Sequence, residues 1–224
     1  MVKYCLPIIK TNKEDIFKEI DENKNNYQFF EVWLDYIKGI NNQFINNLSK
    51  NTGGRLIVVF RRQNLENIQM DYKKRLDIIG SLENSQVLMD LDINNQLQEL
   101  RFIKENKLKN KLIISYHNYA LTPDKENLLK IIEQMKPYHP YIYKVACLCK
   151  NEEDSLKLLE LLVNIKKQNL KYIILGMGTN GLITRIFGTL WGNEITFAPL
   201  TLSAKSAPGQ LTREQMETIF SKIQ

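Results

Sequence analysis

An eightfold alternation constrains this chain more than any other feature. Short apolar runs recur along it, and a longer amphipathic segment follows each one. The runs are "KYCLPII" (3–9), "YQFFEVWL" (27–34), "RLIVVF" (55–60), "QVLMDLD" (86–92), "KLIISYH" (111–117), "YIYKVAC" (141–147), "KYIILGM" (171–177) and "EITFAPL" (194–200). They are rich in β-branched and aromatic residues and too short for buried helices, so they predict strands. The segments 13–24, 38–50, 66–82, 93–108, 124–135, 152–168, 179–189 and 212–223 predict helices.

Strand followed by helix, eight times over, predicts parallel strands joined by crossover helices. Eight such units close into a (β/α)₈ TIM barrel, here a single domain over 1–224 with tight loops, because 224 residues is short for that architecture. The alternative is a doubly wound open sheet. That fold wants a glycine-rich turn after its first strand, and "LPIIKTNKED" contains no glycine. No linker, repeat or low-complexity stretch divides the chain.

Some helix ends are also legible. In "TPDKENLLKII", Thr122 is a candidate N-cap with Pro123 after it. In "NEEDSLKLLELL" the acids suit a first helical turn, and Leu156, Leu159, Leu162 and Val163 recur at helical spacing as an expected inward stripe.

The formal net charge is +6, from 31 Lys and Arg against 25 Asp and Glu. The lysines are dispersed among Glu and Asn without a dense basic run, which argues against a nucleic-acid surface. A small anionic substrate remains compatible with the charge. The first residues, "MVKYCLPIIKTNKED", turn polar too soon for a signal sequence, and no apolar run reaches membrane-spanning length; a cytoplasmic protein without membrane contact is expected. Cys5, Cys147 and Cys149 make no metal-ligand spacing with His117 and His139, so buried reduced thiols are expected and no metal.

Barrel chemistry takes place at the C-terminal ends of the strands, which directs attention to the polar residues there. Strand two carries Glu31 and leads to Asp35, and strand three leads to Arg61 and Arg62. Strand five ends in Ser115, Tyr116 and His117; strand six carries Lys144; Arg185 and "KSAPGQLT" follow strands seven and eight. Lys144 is the most demanding of these, because an ammonium in an apolar strand loses hydration. It is either a lysine snorkelling at the rim, half of an ion pair with Glu31, or a nucleophile. Desolvation lowers the pKa of an amine, and a neutral amine condenses with a ketone or aldehyde. His117, one strand away, is a capping or core residue, or else a general acid and base beside that imine. Arg61 and Arg185 suit a carboxylate or a set of hydroxyls. Ser206 and Gln210 in "SAPGQ" can bond a polyol, or form an ordinary Pro-Gly turn.

Five ordered stretches then resemble one family, the type I 3-dehydroquinate dehydratases. They are "FFEVWLDYI" (29–37), "VVFRR" (58–62), "IISYHNY" (113–119), "YIYKVAC" (141–147), and "GMGTNGLITRIFG" (176–188) continuing to "ITFAPLTLSAKSAPGQLT" (195–212). The resemblance implies a barrel, usually a homodimer, with neither metal nor organic cofactor. It implies dehydration of 3-dehydroquinate to 3-dehydroshikimate, a shikimate-pathway step, through an imine on Lys144 with His117 transferring protons. It implies Arg185 on the substrate carboxylate, Ser206 and Gln210 in a loop over the substrate, and Glu31 and Arg61 on its hydroxyls.

Two positions depart from the family pattern. Its strand-two motif reads Glu-x-Arg-x-Asp, and here Trp33 stands in the arginine position between Glu31 and Asp35. Its strand-three arginine is followed by a Glu-Gly-Gly whose glutamate orients the histidine; here Leu65 stands at that place and Glu66 one residue later. These departures keep two further readings open: a non-catalytic homologue that binds a shikimate-like acid, and another imine-forming lyase or aldolase.

Overall fold

The computed structural model describes residues 2–62, 65–67 and 70–223. Strands and helices alternate along them: β1 (Tyr4–Ile8), α1 (Lys13–Asn23), β2 (Phe29–Trp33), α2 (Asn42–Asn51), β3 (Leu56–Val59), α3 (Tyr72–Ser81), β4 (Leu88–Asp92) and α4 (Leu97–Glu105). Then follow β5 (Lys111–Asn118), α5 (Lys125–Met135), β6 (Ile142–Leu148), α6 (Glu152–Lys167), β7 (Tyr172–Met177), α7 (Leu182–Trp191), β8 (Thr196–Phe197) and α8 (Arg213–Ile223). The eight strands form one sheet in the order β7-β6-β5-β4-β3-β2-β1-β8. Sequential neighbours all the way round, with β8 parallel to β1, are the order of a (β/α)₈ barrel. Helices over one face and packed side chains on the other bury the strands on both sides. Every residue of β1, β3, β4 and β7 is accordingly buried.

The chain divides into two compact units. One comprises Met1–Pro7, Tyr116–Glu133 and Ile142–Gln224; the other comprises Ile8–Ser115 and Gln134–Tyr141. In the first, β6 pairs with β7 so that Lys144 faces Ile173 and Ala146 faces Leu175. In the second, β2, β3, β4 and β5 pair in turn, which aligns Glu31 with Ile57, Trp33 with Val59, Val59 with Asp90, and Asp92 with Ser115. Paired residues of parallel strands share a face, so Glu31, Trp33, Asp90, Asp92 and Ser115 lie on one side of the sheet.

Several asparagines work as helix caps. Asn12, Asn41 and Asn151 accept hydrogen bonds from the backbone of Glu14, Phe44 and Asp154 at 2.8, 2.9 and 3.0 Å. The expected cap of α5 is corrected: Asp124 accepts from the Asn127 N–H at 2.8 Å, whereas Thr122 Oγ1 donates to the Leu148 carbonyl at 2.9 Å. Thr122 stitches α5's approach to the end of β6 instead.

The stripe expected on α6 holds in part: Leu159 and Leu162 are buried, together with Leu158, Leu161 and Ile165, while Leu156 and Val163 are 63% and 39% exposed. The run "LKLLELLV" satisfies two helical registers, and only the position of the sheet chooses between them. The third expected helix, 66–82, begins later, at Tyr72, where Asp71 caps it; Ile68 and Gln69 lie outside the described residues. The last expected strand, 194–200, shortens to Thr196–Phe197.

Candidate active site

Polar side chains within fully buried strands are exceptions that require a reason. In the first unit the exception is Lys144, 5% exposed at the middle of β6. Alternation puts Ile142, Lys144 and Ala146 on one face of the strand and Tyr143, Val145 and Cys147 on the other. Its Nζ lies 4.6 Å from the centre of the Phe197 ring. Phe197 belongs to β8, which pairs with β1 and not with β6, so the amine reaches past β7 on the inner side of the strands. His117 lies near the end of β5, 9% exposed, edge-to-face with Tyr119 at 6.3 Å. Beyond it the chain turns sharply because Asn118 Oδ1 accepts the N–H groups of Ala120 and Leu121, both at 3.0 Å.

Arg185 stands on the buried face of α7, with Thr184, Gly188 and Thr189. Close glycine contacts place that helix. A Cβ on Gly181 would come within 2.4 Å of the Gly176 backbone, and Thr184 Oγ1 accepts from the Gly176 N–H at 2.6 Å. "GMGTNGL" therefore seats the helix start directly on the end of β7. Burial lowers the Arg185 pKa from its ordinary value to about 10, with Cys149 pulling the other way. Its Nη2 donates to the Pro208 carbonyl at 3.3 Å, and its buried Nε has no partner among the described residues. The loop carrying Pro208 is pinned by Gly209, where a φ of +79° and a Cβ position only 2.5 Å from the Gly178 carbonyl oxygen exclude a side chain. Within it, Gln210 Oε1 accepts from the N–H of Ser206 at 2.9 Å, and Gln210 Nε2 donates to Ser206 Oγ at 3.0 Å. Ser206 and Gln210 thus bond each other in this conformation.

The second unit holds a ladder of buried polar groups. Trp33 Nε1 donates to Glu31 Oε1 at 3.1 Å. The Arg62 guanidinium lies 5.3 Å from the centre of the Trp33 ring. Arg62 in turn pairs with Glu66 at 3.2 Å and approaches Asp90 at 3.9 Å. Ser115 Oγ donates to Asp90 Oδ1 at 2.5 Å. Arg61 is turned away from this group: its guanidinium stacks 3.8 Å over Tyr36, its backbone N–H donates to Asp35 Oδ2 at 2.9 Å, and Nη1 donates to the Asn67 carbonyl. Strict alternation past Val59 would put Arg61 on the Glu31 face. The chain leaves β3 at Val59, and that break brings Arg62 there instead.

The model of the family described as type I 3-dehydroquinase matches residues 4–224. The chain belongs to the type I 3-dehydroquinase family. Among curated relatives, the 3-dehydroquinate dehydratase of Coxiella burnetii is 29% identical over 230 aligned positions, covering 99% of this chain and 93% of its own. That of Methanocaldococcus jannaschii is 28% identical, covering 96% of each chain. The crystal structure of the Geobacillus kaustophilus 3-dehydroquinate dehydratase superposes with a TM-score of 0.83 at 24% identity, over 100% of this chain and 91% of that one. The Clostridium difficile type I enzyme, solved with covalently modified comenic acid, gives 0.81 at 25% identity, over 99% and 92%.

Within this type I 3-dehydroquinase, sequence reasoning placed Arg62 and Ser115 at the strand ends without giving them a role, and it missed Asp90. One signal was available. Arg62 and Glu66 keep a four-residue spacing and pair, so the displaced glutamate moved together with its arginine by one position. Gln63 and Asn64 of that stretch lie outside the described residues. Among the described residues no His, Cys, Asp and Glu cluster suits a metal ion, and no helix is long and apolar enough to cross a membrane.

Proposed function

We propose that this type I 3-dehydroquinase dehydrates 3-dehydroquinate to 3-dehydroshikimate through an imine on Lys144. The observation that carries the reading is a buried lysine on the inner face of β6 with its amine against Phe197. An amine so placed is shielded from bulk water, which favours condensation over hydrolysis of the imine. The covalently modified comenic acid of the Clostridium difficile relative is in keeping with such a site.

The Lys144 amine adds to the substrate ketone and loses water to give an iminium. The iminium withdraws electrons and acidifies the neighbouring C–H. His117 takes that proton and returns one to the departing hydroxyl, which leaves as water; hydrolysis of the iminium frees the enone and restores the lysine. Each proton transfer by a positioned side chain is worth about 10²- to 10⁴-fold. Arg185 binds the substrate carboxylate: it is a buried cation whose Nε lacks a partner among the described residues, and an anion relieves the penalty of burying it. Glu31 and Arg62 hold the hydroxyls, Arg62 taking the role that the sequence assigns to Arg61. Ser206 and Gln210 exchange their mutual bonds for bonds to substrate. The protein works as a single-domain cytoplasmic homodimer without metal or organic cofactor.

Incubation with 3-dehydroquinate is expected to raise enone absorbance in the ultraviolet. Borohydride added during turnover is expected to fix a mass on Lys144, and Lys144→Met to lose both signals. Thermal stabilisation by substrate without enone or adduct would instead indicate a non-catalytic binder.

A further inference from the structure

The outer faces of α6 and α7, both in the first unit, carry apolar side chains that the barrel leaves uncovered. Leu156 and Val163 of α6 are 63% and 39% exposed. Ile183 and Trp191 of α7 are 44% and 38% exposed, with half-buried Phe187 between them. Ser155 Oγ donates to the Asn180 carbonyl at 2.5 Å near one end of α6, and Lys166 Nζ donates to the Trp191 carbonyl at 2.7 Å near the other. The two helices therefore run side by side in the same direction. Spacings of four, seven and four residues put Glu152, Leu156, Val163 and Lys167 on one stripe of α6, ending in an exposed acid at one end and an exposed base at the other. The stripe is self-complementary about the midpoint between Leu159 and Glu160. Glu160, the charge near its middle, pairs with Lys125 of α5 at 2.5 Å. On α7, Phe187 stands midway between Ile183 and Trp191, its ring 5.3 Å from the indole.

We propose that this face binds a second copy of the chain, with α6 antiparallel on α6 and α7 antiparallel on α7 about a two-fold axis. In such a pair each residue meets the one equally far from the midpoint on the other copy. Leu156 packs on the partner's Val163, and Glu152 meets the partner's Lys167, each contact being made twice. Ile183 meets the partner's Trp191, and Phe187 lies at the axis. A surface that complements itself is what an isologous interface requires, and an unlike partner imposes no such condition. The acids on the stripe disfavour an anionic membrane surface. The inference gives the homodimer proposed above its interface; it rests on that part of the reading and not on the dehydration chemistry.

Leu156→Cys and Val163→Cys test the register, because Cys5, Cys147 and Cys149 are buried. The two variants are mixed, left to exchange subunits and oxidised mildly. A disulfide-linked dimer is expected on a non-reducing gel from the mixture, and monomer from either variant alone. The antiparallel register brings position 156 to position 163 and keeps like positions roughly 10 Å apart along the helix. Leu156→Ser is expected to raise the dimer dissociation constant about 100-fold in analytical ultracentrifugation, since two exposed leucines lose their cover. Glu152→Lys is expected to raise it at least about threefold, and Glu152→Lys combined with Lys167→Glu to restore it, because opposite charges face each other again. A dimer that ignores these substitutions, or one that links as readily through Leu156→Cys alone, overturns this interface and leaves the homodimer standing. A monomeric wild type overturns both.

Discussion

Arg185 carries opposite obligations to stability and to function. A guanidinium buried on α7, with a carbonyl for its described partner, is held at a pKa of about 10 by desolvation. The folded-state value lies below the unfolded one, so below pH 10 the folded protein bears the penalty of a buried charge. That penalty is relieved as pH rises through about 10. The same charge is what a carboxylate needs. Two outcomes follow with opposite signs. Arg185→Met is expected to raise KM about 10- to 100-fold, the loss of a charge-assisted bond. Its apo thermal midpoint is expected to stay level or rise, as measured by scanning calorimetry, because a buried cation has been replaced by an apolar chain. In the wild type, KM is expected to climb above pH 10 as the guanidinium is lost.

At the scale of elements, a second buried ionic group fixes the loop that bears Arg62 and Glu66. Asp35, just past β2, accepts the N–H groups of Arg61 at 2.9 Å and Met70 at 3.4 Å, on either side of that loop. Arg75 of α3 pairs with Asp35 at 2.8 Å and with Glu99 of α4 at 3.2 Å, and all three are buried. One carboxylate thus ties the end of β2 to the exit of β3 and, through Arg75, to two helices. Removing one member strands a buried charge, so Arg75→Met is expected to destabilise by about 3–5 kcal/mol in urea unfolding. Arg75→Met combined with Asp35→Asn is expected to recover part of that loss, because one of the two stranded carboxylates is gone while that of Glu99 remains and the loop bonds stay weakened. Full additivity of the two substitutions would show that the residues do not act as one unit. In sequence, Asp35 was legible as part of the strand-two motif. Arg75 was not: an arginine on an amphipathic helix reads as a solvated charge until the fold turns it inward.

At the scale of the whole molecule, the two units are interleaved in sequence. β5 begins in one and ends in the other, since Ser115 and Tyr116 fall on opposite sides of the division. Neither unit is a continuous segment of the chain. The single-domain reading therefore predicts one cooperative transition, with van't Hoff and calorimetric enthalpies equal. Two resolved transitions, or a van't Hoff enthalpy well below the calorimetric one, would mean that the units unfold separately.

The eightfold alternation determined the architecture by itself, because burying both faces of parallel strands demands continuous apolar runs and leaves few ways to write them. It also exposed Glu31, His117 and Lys144 as polar residues inside or ending such runs, which is why those positions were legible. Only the tertiary structure decided which of two adjacent arginines lies against Trp33, since that depends on where β3 stops pairing. It likewise chose the inward face of α6 from a leucine run that fits two registers, and revealed Trp33 as the donor to Glu31. Sequence periodicity records where a side chain lies along a regular element; at strand ends and in redundant stripes the period fails, and packing against the neighbouring elements settles the direction.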